Sequence, residues 1–267
     1  LLIYGQNHPI SKEEEDIIHT FTTKYNCAIA VDHLSNIKLS STIETFMISR
    51  IISDEDFDTL MPEIIISLHG NYTSYIRNKL VNKKGFEHWL IESSGDVADP
   101  FKCLTTIFKC SSTEFFERFV ANNTNNNSEN MYLKAWRDKI STLKISTIPF
   151  SDLYVVQKFM HLIPENSILH LANSSSVRLA QHFKLKKSIS VYCNRGTNGI
   201  DGSCSTFMGS AIVHKDLSFL LIGDLSFFYD MNAIWNRYVG KNIRILLNNN
   251  EGAGIFHYNI GKEKIPT

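Results

Sequence analysis

The chain carries no surplus of charge of either sign: 27 Lys and Arg balance 27 Asp and Glu. That balance removes the electrostatic case for a nucleic-acid partner or an acidic membrane surface. No apolar run approaches the roughly 20 residues a membrane-spanning helix needs, and no signal-peptide pattern opens the sequence. Cysteine is scarce. Cys27, Cys103, Cys110, Cys193 and Cys204 are odd in number and nowhere spaced as Cys-x-x-Cys, so reduced thiols in a cytoplasmic protein are expected. The phosphate fingerprint Gly-x-Gly-x-x-Gly is absent from the first half. An initial methionine is missing as well. Leu1-Leu2-Ile3-Tyr4-Gly5 reads as a first strand cut at its beginning. What remains is ordinary: 267 residues, 43% of them apolar, enough for one large or two ordinary globular domains.

The densest signal lies between Leu217 and Phe256. An apolar run, Phe219 to Ile222, stops at Gly223-Asp224, and a second, Ile243 to Leu247, stops at Asn248-Asn249-Asn250. Between them Met231, Ile234, Trp235 and Tyr238 recur at helical spacing, which predicts a helix stopped by Gly240. Strand, helix, strand implies parallel strands joined by a crossover. Both polar clusters then sit at strand carboxyl ends, where open α/β sheets bind ligands. Asp224 offers a carboxylate, Asn250 a side-chain carbonyl and Gly252 a backbone oxygen. Three oxygens, completed by water and phosphate, suit magnesium and point to a diphosphate ligand. The plainer reading is an ordinary crossover with Asp and Asn in its turns, where both are favoured.

In the first half, Ser11 with Glu14 three residues later predicts a capped helix carrying Ile17, Ile18, Phe21 and Tyr25. Strands are expected at Cys27 to Val31, Ile64 to Leu68 and His88 to Ile91, and helices at Tyr72 to Leu80 and Thr113 to Val120. Alternating β and α predicts an α/β fold, here two Rossmann-like three-layer domains with mostly parallel sheets. His33 and His69 stand at strand ends and read as loop histidines rather than ligands. Asn122 to Asn130, NNTNNNSEN, has no apolar residue and reads as a linker between domains 1–121 and 131–267. In the second domain a helix is expected from Asp152, strands at Ser167 to Leu171 and Ile189 to Tyr192, and a small-residue helix from Gly199 to Ala211. Four strand ends thus carry polar clusters: Asn173 to Arg178, Asn194 to Gly202, Gly223 to Ser226 and Asn248 to Gly252.

The run NRGTNGIDG (194–202), followed by GDLSFFYDMN (223–232) and NNEGAGIF (249–256), resembles the thiamine-diphosphate enzyme family, whose signature pairs Gly-Asp with a later Asn-Asn. Within it the run looks like the branch that serves menaquinone biosynthesis. The match is dense between Asn173 and Phe256 and thin but collinear before that. The resemblance implies a magnesium (or manganese) ion held by Asp224, Asn250 and Gly252. It implies thiamine diphosphate lined by Ile200, Gly223, Leu225, Ser226, Asn250, Gly252 and Ala253, with Ile200 bending the cofactor. It also implies substrate contacts from Ser174, Arg178, Arg195, Ile255 and Phe256. Guanidinium groups suit substrates with several carboxylates, here 2-oxoglutarate and isochorismate. A homodimer or homotetramer is implied for the full-length protein.

There are departures. Glu251 and Ala253 interrupt the usual pattern after the asparagines, and His257-Tyr258-Asn259 stands where the family has Ser-Phe-Leu-Pro. The family's activating glutamate belongs to an N-terminal domain, and no glutamate here matches it. The resemblance therefore implies a fragment: the middle domain plus most of the diphosphate-binding domain of a carboligase, inactive alone, with an empty site and a mobile segment from Glu251 onward. Two alternatives stay open at this stage: another thiamine-diphosphate decarboxylase or carboligase, and a non-catalytic paralogue that keeps the fold.

Overall fold

The computed structural model describes residues 1–81, 83–121, 129–143, 147–252 and 254. The chain divides into two compact units, Leu1–Ile145 and Ser146–Thr267, each built on a parallel sheet.

The first unit opens with β1 (Leu2–Tyr4), α1 (Lys12–Lys24) and β2 (Ile29–Val31), followed by β3 (Thr42–Glu44), α2 (Thr45–Ile51) and α3 (Asp54–Asp58). It continues with β4 (Ile64–Leu68), α4 (Ile76–Leu80), β5 (Glu87–Ile91), β6 (Leu104–Phe108), α5 (Ser112–Ala121) and α6 (Met131–Ser141). The cap expected for α1 is present. Ser11 Oγ accepts the Glu14 N–H at 3.2 Å, and the Glu14 carboxylate accepts the Ser11 N–H at 3.0 Å. Six parallel strands run in the order β3-β2-β1-β4-β5-β6, the arrangement of a doubly wound sheet that reverses between β1 and β4. One core layer gathers Ile3, Ala30, Ile43 and Ile65 against Phe57, Phe101 and Trp136. The other gathers Leu2, Tyr4, Ile29 and Ile66 against Phe21, Phe115 and Phe116.

At the reversal point the crevice is closed by backbone. Gly5 N–H donates to the Leu68 carbonyl at 3.0 Å and Gln6 N–H to the Gly70 carbonyl at 3.1 Å. A Cβ on Gly5 would come 1.7 Å from the Gly70 oxygen, so only glycine fits there. His69, Gly70 and Asn71 all take positive φ, 61°, 41° and 50°. His69 packs on the Tyr4 ring at 4.8 Å, and burial holds its pKa below the usual histidine value.

Sequence reading assigned residues from 131 onward to the second domain. Helix α6 instead packs into the first unit: Trp136 is 1% exposed in the core with Ile43, Ile48 and Phe57. The division falls after α6 because its apolar stripe needs the first sheet as a partner. Residues 122–128 of the expected linker lie outside the described residues. Asn130 caps α6, its Oδ1 accepting the Leu133 N–H at 2.8 Å, and its Nδ2 donates to the Cys27 carbonyl at 3.0 Å.

The second unit comprises α7 (Asp152–Leu162), β7 (Ile168–Leu171), α8 (Ser175–Ala180), β8 (Ser190–Tyr192), α9 (Ser203–Val213), β9 (Ser218–Gly223), α10 (Asp224–Asp230) and β10 (Ile243–Asn248). Four parallel strands run β10-β9-β7-β8. Ala172, Cys204, Phe207, Met208, Leu220 and Ile222 form a core between β9 and α9. The helix expected around Met231 to Tyr238 takes a different form. Helix α10 begins at Asp224 itself, and Met231–Ile234 is a single 3-10 turn. Met231, Trp235 and Tyr238 are exposed, so their spacing is not the stripe of a buried helix. Among the described residues no helix is long and apolar enough to cross a membrane.

Candidate functional site

Because all four strands of the second unit run parallel, their carboxyl ends bring four loops to one edge. Asp224 follows β9, and Asn250 follows β10. The two strands pair in register, Asn248 opposite Gly223, which sets both polar turns side by side. Asp224 is 6% exposed. Its Oδ1 accepts the Leu225 N–H at 2.7 Å. Its Oδ2 accepts the Gly252 N–H at 2.9 Å and the Asn250 N–H at 3.3 Å. A carboxylate has about four lone-pair positions, so coordination capacity remains after three hydrogen bonds. Asn250 Nδ2 donates to Asp152 at the start of α7, 3.1 Å away. That leaves Asn250 Oδ1 buried with no hydrogen-bond partner. A buried, unpaired acceptor is uncommon and suits a cation.

Asp224 and Asn250 share a cavity of about 160 Å³ with Gly223, Leu225, Ser226, Ile200 and Ser174. Gly223 lines it, and a Cβ there would meet nothing within 4 Å. Ser226 Oγ donates to the Ile200 carbonyl, tying the α10 turn to the loop before α9. Glu251 and Gly252 take positive φ, 63° and 108°. The structure therefore brings together Ile200, Gly223, Asp224, Leu225, Ser226, Asn250 and, through its hydrogen bond to Asp224, Gly252. Ala253, Ile255 and Phe256 lie outside the described residues, as does most of the segment from Glu251 onward.

The expected substrate residues divide. Ser174 lines the cavity and takes φ 67°, ψ −125°, a backbone conformation that costs an ordinary residue on the order of 1–3 kcal/mol. Arg178 and Arg195 stand one step behind the wall. Arg178 donates to the Ser174 carbonyl at 2.8 Å, and Arg195 to Asn173 Oδ1 at 3.0 Å. Asn173 is the hub that sequence reading left without a role. It is 3% exposed, and its Nδ2 donates to the Asn194 and Gly199 carbonyls at 2.5 and 2.6 Å. Asp152 was missed too. Its partner Asn250 is 98 residues away, and nothing local marks the contact.

His170 and Cys204 lie in the core of the second unit, and neither is poised for proton transfer at neutral pH. Burial pushes His170 down to about 4 and the Cys204 thiol up to about 11. The chemistry of this edge is thus oxygen ligands and backbone donors. The first unit has a larger cavity, about 540 Å³, at the amino ends of β1 and β4, with walls that include Phe21, Tyr25, Trp89 and Phe119. It lacks a comparable convergence of polar groups, so the smaller cavity is the better candidate.

No family model matches the chain. Curated relatives do. A 2-succinyl-5-enolpyruvyl-6-hydroxy-3-cyclohexene-1-carboxylate synthase of Phocaeicola vulgatus is 38% identical over 262 residues, 93% of this chain and 46% of the relative. Proteins of the same name match from Bacteroides fragilis, 41% identical over 77% of the chain and 37% of the relative, and from Flavobacterium johnsoniae, 34% identical over 100% of the chain and 49% of the relative. The chain spans at most about half the length of these relatives.

Proposed function

Because the chain belongs, over the stretch it shares with them, to the 2-succinyl-5-enolpyruvyl-6-hydroxy-3-cyclohexene-1-carboxylate synthase family, we propose that it serves menaquinone biosynthesis and that its second unit binds magnesium and thiamine diphosphate. The observation that carries this reading is the buried Asp224 beside Asn250, whose Oδ1 has no hydrogen-bond partner. Asp224, Asn250 and the Gly252 carbonyl would hold the ion, an all-oxygen set of the kind magnesium takes together with phosphates. Gly223, Leu225, Ser226 and Ala253 would face the diphosphate, and Ile200 would support the cofactor from below. Bound there, thiamine diphosphate supplies an electron sink for decarboxylating a 2-oxo acid.

This chain's own residues then position and select. Arg195 would meet a substrate carboxylate while its bond to Asn173 fixes the loop. Arg178, bonded to the Ser174 carbonyl, would set the second carboxylate contact. The relatives' name describes a product bearing a succinyl group and a ring carboxylate, which supports 2-oxoglutarate as the succinyl donor and isochorismate as the acceptor for the full-length enzyme. Phe228, Tyr229 and Trp235 are 63%, 70% and 88% exposed. Large exposed aromatics of this kind support assembly as a homodimer or homotetramer, which we place in the cytoplasm.

Calorimetry of thiamine diphosphate with and without magnesium tests the reading. Binding should require the ion, and Asp224→Ala should abolish it. Equal binding in the absence of magnesium, or by Asp224→Ala, would refute the site.

A further inference from the structure

A second cluster of ligating groups lies in the first unit, in none of the roles above. His88 on β5, Asp99 and Cys103 in the loop before β6 place a ring nitrogen, a carboxylate oxygen and a thiol sulfur all within 4.8 Å of one another. Among the described residues it is the one such group of three or more.

The cluster is built rather than incidental. The pairing of β5 with β6 shifts register between His88 and Trp89, and bulges of this kind re-aim a side chain. Thr105 bridges the irregularity, accepting the His88 N–H at 3.1 Å and donating to the His88 carbonyl at 2.9 Å. The His88 side chain is fully buried, with Phe101 edge-on at 4.9 Å. Its Nε2 pairs with the buried Ser67 Oγ at 2.7 Å. Its Nδ1 has no hydrogen-bond partner and faces Asp99 Oδ1 at 3.6 Å, beyond hydrogen-bond length. Asp99 is itself oriented, its two oxygens accepting the Cys103 and Leu104 N–H groups at 3.1 Å each. One buried nitrogen thus faces a carboxylate, with a thiol sulfur inside the same 4.8 Å cluster.

Ser67, His88 and Asp99 also stand in the order of a hydrolytic triad. Ser67 is 1% exposed, so no substrate reaches its hydroxyl, and a nucleophilic role is excluded. A metal ion needs no such access. Asp99 is exposed and Cys103 half-buried, so the cluster is open to solvent on that side.

We propose that His88 Nδ1, Asp99 and Cys103 Sγ bind a single zinc-class divalent transition-metal ion, with water or a small anion as the fourth ligand. Imidazole, thiolate and carboxylate in tetrahedral array suit zinc. The Ser67 contact is the outer partner that fixes a ligating ring. Magnesium, which prefers oxygen octahedra, is not competitive here, so the site stays chemically distinct from that of Asp224.

The test is cobalt(II) absorption and zinc calorimetry on the tag-free protein in excess magnesium. Wild-type protein should bind one ion per chain and show a thiolate-to-cobalt charge-transfer band. Cys103→Ser should lose the band and weaken zinc binding by more than about tenfold, at least what removal of a ligand's partner costs. Cys110→Ser, altering another partly exposed thiol, should change neither. Asp99→Asn should keep the band while weakening zinc to a similar degree. No band at saturating cobalt, a band that survives Cys103→Ser, or zinc affinity unchanged in Asp99→Asn would overturn the assignment.

Discussion

Asp224 is a small carboxylate with a wide reach. Three N–H groups from two loops converge on it. Asp224→Asn would keep the volume and remove the charge. Hydrogen bonds to charged groups contribute about 1.5–3 kcal/mol each, so amide exchange at Asn250 and Gly252 should accelerate well beyond that at β7. Equal protection in the variant would show that the loop is held by other means. The two arginines should separate. Arg195→Ala releases Asn173, the hub of two loops, so it should lower thermal stability as well as turnover in the full-length enzyme. Arg178→Ala should lower turnover with little change in melting. Each turnover loss should correspond to ~2–5 kcal/mol, the scale of a buried charged contact, and wild-type kinetics in both variants would remove the substrate assignment. His170 sets an acid limit on the second unit. Its folded pKa, near 4, lies below the unfolded value of about 6.5. Between those values the unfolded chain binds the proton and the folded one does not, so stability falls as pH drops through that window, by roughly 2–3 kcal/mol. His170→Phe, filling the place beside Tyr192 and Phe207, should flatten that limb in urea titrations. An unchanged pH profile would exclude His170 as its source.

Among the elements, the glycine at the end of β1 gives the sharpest local test. Gly5→Ala puts a methyl group 1.7 Å from the Gly70 oxygen, so the strand end must shift. A loss of more than about 3 kcal/mol, as for the larger packing faults, should appear in denaturant midpoints. A near-neutral variant would mean the loop moves freely. Strands were the most legible elements in the sequence. Ile64–Leu68 is apolar except for Ser67 and is bounded by Glu63 and His69, and buried parallel strands read much that way. The α1 cap was legible for the same reason: its partners are three residues apart. Helix α6 was assigned to the wrong unit because periodicity shows that a helix has an apolar face and not which sheet covers it. The stretch after Asp230 misled because Met231, Ile234, Trp235 and Tyr238 keep helical spacing without a core to bury them. In the candidate site, the two adjacent turns that carry Asp224 and Asn250 were legible as strand ends, whereas Asp152 and Asn173 act through bonds that join distant loops. Trp136→Ala separates the two placements of α6. It should lower the stability of the first unit by about 3–5 kcal/mol and leave the proposed thiamine-diphosphate binding by the second unchanged.

At the scale of the molecule, both sheets are parallel throughout their described strands. So far that topology has explained where the polar loops gather. It also governs time. No strand can close a hairpin with its neighbour in sequence, because parallel pairing requires a crossover. β1 waits for β4, pairing Leu2 with Ile66, and β7 waits for β9, pairing Ile168 with Ser218. The loop-closure cost of such distant pairs comes before their reward, so folding is slow. During that wait β9 and β10 are apolar strands with open edges, able to pair with the same segment of another chain. Refolding from urea should therefore take far longer than for a helical bundle of equal length. Its yield should fall as protein concentration rises, as light scattering and recovered thiamine-diphosphate binding would both report. The edge that gathers the candidate site in the finished fold is, in the unfinished one, the place where two molecules meet.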